Sequence, residues 1–201
     1  MGGVLVDLQR ERAIRNFMTI GVSDADNLIS TYRHHGIFFD FENGNIDTDE
    51  FCRLLCEHVG KPIPREAIED AWRSIINPPL AFKLAYLSNL RKKGLKIFLL
   101  TNNNPIIFRW ACSPGFTPFG DVFTDYFDKI YLSYQMKCSK PDLKIFRMMI
   151  EDAGIDSAES LYIEDSERNN QAASACGFQT ILVKNASDWR EELTKSLEVC
   201  P

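Results

Sequence analysis

Four short apolar runs, LKIFLL at 95–100, KIYLS at 129–133, SLYIE at 160–164 and QTILV at 179–183, alternate with helix-like stretches in the second half of the chain. Runs of this length suit strands. Their near-continuous apolar character marks strands covered on both faces. Strand and helix in repeated alternation imply a parallel sheet with helices packed over it. The expected fold class is α/β with a Rossmann-like parallel sheet core.

The first 80 residues follow a different rhythm. Helical patterns fall at about 8–20, 24–34, 47–59 and 64–76. Asp47-Thr48-Asp49-Glu50 reads as a helix start, with acids at the positive end of the dipole. Pro64 suits a first helical turn. HHGIFFDFENGNID, beginning at His34, reads as a surface loop that bends back toward a ligand. ACSPGFTPFGDVFTDYF at 111–127, rich in Pro and Gly, reads as an excursion near the site. The domains expected are a core from 1–8 and 81–201 and an inserted α-helical cap from 9–80.

Polar residues follow three of the four apolar runs: Thr101-Asn102, Lys140-Pro141 and Glu164-Asp165. Open α/β sheets bind ligands in the crevice beyond the carboxyl ends of their strands. A hydroxyl and an amide supply donors of fixed geometry, a lysine supplies a point charge, and paired carboxylates supply the hard oxygen ligands that magnesium prefers. Together they suit a phosphate ester, whose negative charge must be offset before an anionic nucleophile can attack.

Composition narrows the partners. A net charge of −5 gives no basic footprint for nucleic acid or anionic membrane. No apolar run reaches the ~20 residues of a membrane span. The first residues, MGGVLVDLQRERAIRNF, do not form a signal peptide, because the apolar stretch is short and charges follow at once. Six cysteines without paired C-x-x-C spacing read as free thiols, consistent with a cytoplasmic setting. Cys52 and Cys56, four apart near His58, read as thiols on a helix face rather than a metal site. His34, His35 and His58 read as surface or packing residues, and Trp72 and Trp110 as core or cap-interface anchors.

These motifs, in this order and spacing, resemble the haloacid dehalogenase-like (HAD) hydrolase superfamily, and the likeness covers nearly the whole chain. The resemblance implies that Thr101 and Asn102 contact the transferring phosphoryl group and that Lys140 neutralises phosphoryl and nucleophile. It implies that Glu164 and Asp165 hold Mg²⁺, with the Gly2 backbone carbonyl as a further ligand. Asn169 fits the family's following helix. The implied activity is magnesium-dependent hydrolysis of a small phosphorylated metabolite, a sugar phosphate or a nucleotide, through an aspartyl-phosphate; branches with a glycine at the Gly2 position resemble sugar-phosphate phosphatases. A 2-haloacid dehalogenase and a non-catalytic pseudophosphatase are the alternatives. Oligomeric state is not legible.

The chain departs from the family at its first motif. Met1-Gly2-Gly3-Val4-Leu5-Val6-Asp7 matches the part after the nucleophilic Asp, so the expected nucleophile and its strand lie upstream of Met1, and the 201-residue chain is expected to be inactive. Gly2 also stands where an acid/base Asp is frequent, leaving protonation of the leaving group to water, substrate or a cap residue. Asp7 is expected on the flap beyond the strand, not at the reacting position.

Overall fold

The computed structural model describes residues 1–30 and 34–199. Its second half is the α/β core. Strand β1 (Phe98–Thr101) pairs in parallel with β2 (Lys129–Leu132), setting Thr101 opposite Leu132. Strand β3 (Leu161–Glu164) pairs in parallel with β4 (Gln179–Leu182), setting Glu164 opposite Leu182. All four strands fall within the apolar runs, give or take a residue. Helices α6 (Ala81–Lys92), α7 (Pro105–Ala111), α8 (Ser133–Met136), α9 (Leu143–Ala153), α10 (Glu167–Ala175) and α11 (Arg190–Val199) complete this half. The expected α/β, Rossmann-like class holds. Helix α7 starts where Pro105 meets it, with the Asn104 carboxamide accepting from the Ile106 and Ile107 amides.

The sheet is divided. Among the described residues β1–β2 and β3–β4 form two separate two-stranded sheets. Between the free edges of β1 and β3 lies a cavity of about 560 Å³, walled by Leu99 and Leu100 on one side and Leu161 and Ile163 on the other. Met1, Val4 and Leu5 close one end of it. They belong to a tight turn in which the Leu5 and Val6 amides both donate to the Met1 carbonyl. The buried Lys83 ammonium and the Trp189 indole both donate to the Val4 carbonyl and pin that turn in place. The segment therefore caps the slot without entering it as a strand.

Helices α1 (Arg10–Thr19), α2 (Ala25–Leu28), α3 (Gly36–Glu42), α4 (Thr48–Val59) and α5 (Arg65–Arg73) precede the core. Phe17, Phe38, Phe41, Phe51 and Trp72, all fully buried, form an edge-to-face and stacked cluster among them. Asp47 caps α4 by accepting from the Glu50 amide at 2.9 Å. The strands entering and leaving this segment run side by side, with the Gln9 amide on the Ile75 carbonyl and the Asn77 amide on the Asp7 carbonyl.

Three local expectations are corrected. The helix expected at 24–34 is only the turn Ala25–Leu28; residues 31–33 of that range lie outside the described residues. The aromatic stretch after His34 is helical, because Phe38 and Phe41 fall three apart and bury on one face. Residues 111–127 do not line the site. Their aromatics Phe116, Phe123 and Phe127 turn into the core instead, stacked edge to face. The Cys56 thiol bonds the Ile63 amide and His58 pairs with Asp24 at 2.8 Å, so neither faces a common centre.

Candidate active site

The carboxyl ends of β1 and β3 and the loop before α9 converge on one cleft of about 120 Å³. Thr101, Asn102, Lys140, Glu164, Asp165 and Gly2 all line it. Every residue expected from the sequence is thus brought to one place.

Lys140 is the hub. Its Nζ donates to Glu164 Oε2 at 2.5 Å, to the Tyr162 hydroxyl at 3.0 Å and to the Leu100 carbonyl at 3.4 Å. Both side chains of the ion pair are almost wholly buried. The Asn102 carboxamide grips the Lys140 backbone twice, donating to its carbonyl at 3.0 Å and accepting from its amide at 2.9 Å. Asn102 thereby ties the loop after β1 to the Lys140 backbone. The Lys140-Pro141 peptide is cis.

Glu164 is saturated with donors. Besides Lys140, Tyr162 donates to Oε2 at 2.5 Å and Asn169 to Oε1 at 3.2 Å. Burial opposes its ionisation, but the Lys140 charge and these hydrogen bonds outweigh it and hold the carboxyl well below its ordinary range. Burial and the Glu164 charge push the Tyr162 hydroxyl well above its usual value.

Asp165 is in the opposite condition. Burial, with the Glu164 carboxyl beside it, pushes it up to about 6. The turn at Gly3 presses directly on it: with φ +75°, a Cβ there would lie 2.1 Å from Asp165 Oδ2, so only glycine fits. An anion held beside another anion favours a cation. Two adjacent carboxylates with the Gly2 backbone at the same cleft fit a hard divalent ion, and Asp165 carries the larger share because Glu164 is already occupied. Among the described residues no three His, Cys, Asp or Glu side chains converge, so the protein ligands are few, as is usual for magnesium.

A pH dependence follows. With a native value near 6 against an ordinary 3.8, Asp165 stabilises the fold only while protonated. That contribution is complete below about pH 4 and is lost as pH rises through 6. Asp165→Asn is expected to raise the metal-free melting temperature at pH 7 by the equivalent of roughly 1–2 kcal/mol, allowing for its partial exposure, and to change little at pH 4. Thermal melts of both proteins at the two pH values, in chelator, check this; an equal effect at both would rule out the buried charge as its cause.

Sequence reasoning missed three participants. Tyr162 stands two residues before Glu164 on one strand, and strand alternation alone puts both on one face. Asn103 follows the Thr-Asn pair, is buried and lines the cleft, and its Nδ2 has no hydrogen-bond partner among the described residues. Glu42 comes from the helical segment and has no local signal. Asp7 is excluded from the cleft; it accepts from Gln9, Asn77 and Asn185.

The haloacid dehalogenase-like hydrolase family model matches residues 83–183. Over 193 residues the chain is 39% identical to D-ribitol-5-phosphate phosphatase of Bacteroides thetaiotaomicron, covering 96% of this chain and 93% of that protein. The chain belongs to the haloacid dehalogenase-like hydrolase family. A predicted HAD-like hydrolase from Porphyromonas gingivalis superposes with a TM-score of 0.92 at 36% identity, over 98% of this chain and 94% of that one. A HAD family enzyme from B. thetaiotaomicron, solved with magnesium and inorganic phosphate, superposes with a TM-score of 0.88 at 38% identity, over 96% of this chain and 95% of that one. No described helix is long and apolar enough to cross a membrane.

Proposed function

We propose that this protein is a magnesium-dependent phosphomonoesterase acting on a phosphorylated sugar or sugar alcohol. The observation that carries the reading is the juxtaposition in one cleft of a buried lysine, a buried hydroxyl and two adjacent carboxylates, one of them, Asp165, raised by burial and by Glu164 beside it. The similarity to a ribitol-5-phosphate phosphatase and to an enzyme solved with magnesium and phosphate supports the substrate class and the ion.

In this reading Lys140 and the Thr101 hydroxyl hold the phosphoryl oxygens, and Asn102 sets the lysine's backbone. Glu164, with Tyr162 and Asn169, fixes the Lys140 ammonium. Asp165 and the Gly2 carbonyl hold magnesium. Bound magnesium supplies positive charge against the phosphoryl oxygens. The slot between β1 and β3 takes one extended strand, and a strand seated there ends beside Lys140. We place the nucleophilic aspartate on that strand, and the helices of 9–80 as a cap over the cleft. A dehalogenase has no use for a cation, and the demand at Asp165 argues against that alternative.

The test is hydrolysis of ribitol 5-phosphate by the chain extended before Met1 with an apolar strand that ends in Asp. Turnover is expected with magnesium and is expected to vanish in chelator, while the 201-residue chain turns over at background only. Undiminished activity in chelator would overturn the metal role, and robust activity of the 201-residue chain would overturn the placement of the nucleophile.

A further inference from the structure

The core half of the cleft is equipped to bind a phosphoryl group and lacks an acid for the alcohol that leaves. Lys140 and Tyr162 are both committed to Glu164. Asp165 faces the cation site, and Gly2 has no side chain. An alkoxide is a poor leaving group, and a positioned acid is worth about 10²–10⁴-fold in such a step.

The opposite wall comes from the helical segment and holds Arg10, Ser30, His34 and Glu42. Arg10 is tied to the Ile29 and Asp26 carbonyls. His34 is not committed in this way. Its ring is 7% exposed, wedged 5.4 Å from Trp72 and 6.4 Å from Phe38. Nε2 lies 3.7 Å from Glu42 Oε1. Nδ1 is buried and has no hydrogen-bond partner among the described residues. Glu42 is itself anchored, since its carbonyl accepts from Ser133 Oγ at 2.6 Å and the same hydroxyl accepts from the Asn103 amide at 3.0 Å. One serine thus ties the His34–Glu42 wall to the loop after β1.

We propose that His34, oriented by Glu42, is the acid that protonates the leaving alcohol. The proposal rests on the phosphomonoesterase reading. With the phosphoryl group held by the core, the ester's alcohol portion extends toward the wall that carries His34 and Glu42. The aspartate carboxylate forms the new O–P bond as the bond from phosphorus to the ester oxygen breaks. The electron pair goes to that oxygen, which takes the proton from His34 Nδ1. The ring is left neutral with its Nε2 proton toward Glu42. Water then forms a bond to phosphorus as the bond from phosphorus to the aspartate oxygen breaks, which releases phosphate, restores the carboxylate and returns one water proton to Nδ1.

Leaving-group dependence tests this. An alkyl ester needs the proton, and an aryl ester with a good leaving group needs it far less. In the chain extended with the slot strand, and with magnesium present, His34→Gln is expected to lower kcat on ribitol 5-phosphate by about 10²-fold, with a loss on p-nitrophenyl phosphate at least about tenfold smaller. Glu42→Gln is expected to show the same asymmetry, at about 10-fold on the alkyl ester. Equal losses on both esters, no loss on either, or a raised KM with unchanged kcat would overturn the assignment. Should His34→Gln fail to melt cooperatively, Glu42→Gln decides alone, because it leaves the aromatic cluster intact. Wild-type turnover of the aryl ester reads the phosphomonoesterase assignment separately; without it both fall.

Discussion

Lys140→Ala and Asp165→Asn are each expected to lower phosphatase kcat by about 10²-fold or more in the chain extended with the slot strand, while moving its stability in opposite directions. The activity losses share a cause, since each removes charge or charge-holding from the phosphoryl site. The stabilities diverge because the two groups sit on opposite sides of one buried imbalance. Lys140 is the counter-ion of Glu164 at 2.5 Å, with both nearly inaccessible. Removing it strands a buried carboxylate, which costs about 3–5 kcal/mol. Asp165 is the surplus anion, and neutralising it relieves repulsion. Lys140→Ala with Glu164→Gln removes both charges and is expected to recover much of the lost stability but none of the activity. Melting temperatures and kcat for the three variants check this. A destabilised Asp165→Asn in metal-free buffer at pH 7, or an active double variant, would contradict the arrangement.

What could be seen in the sequence was whatever depends on local periodicity. The four apolar runs became four parallel strands because a buried strand needs little beyond continuous apolar residues. Thr101, Lys140 and Glu164 follow from those strands by position, since polar residues at strand ends are where such sheets present ligands. Asn102 shows the limit of that reasoning. Its place was legible, but its partner, the Lys140 backbone 38 residues on, depends on how two loops approach each other. His34 and Glu42 were lost for the same reason. A histidine amid aromatics reads as packing, and only the docking of α3 against α8, fixed by Ser133, turns that wall to the cleft. The aromatic stretch after His34 was misjudged because its Asn and Gly at 43–45 suggested a loop, while Phe38 and Phe41 decided for helix. The division of the sheet was legible only through the family resemblance, which sets the expected first strand between those carrying Thr101 and Glu164; nothing local in β1 or β3 marks it.

That division carries the largest stability effect. Adding an extended apolar segment of about five residues, ending in Asp directly before Met1, is expected to raise the melting temperature of the 201-residue chain by well over ten degrees and to convert associating species to monomer. The slot accounts for both. An open apolar slot of about 560 Å³ leaves Leu99, Leu100, Leu161 and Ile163 without the packing partners that a seated strand supplies. Along the slot, β1 and β3 also present edge N–H and C=O groups that pair with each other nowhere among the described residues. Such edges recruit other chains when left open. The Met1–Val6 turn does not substitute, because Lys83 and Trp189 hold its Val4 carbonyl at the slot's end. A seated strand satisfies both edges, fills the apolar volume and brings a carboxylate beside Lys140 in the same movement, so gain of stability and gain of activity should track each other across strand variants. An inserted proline in the segment should abolish both, since it removes a ladder donor at a central strand. Thermal unfolding, gel filtration and aryl phosphate turnover on the extended, proline-containing and 201-residue chains read the three consequences together. A sharp monomeric transition in the 201-residue chain, within a few degrees of the extended one, would show that the two half-sheets are stable apart.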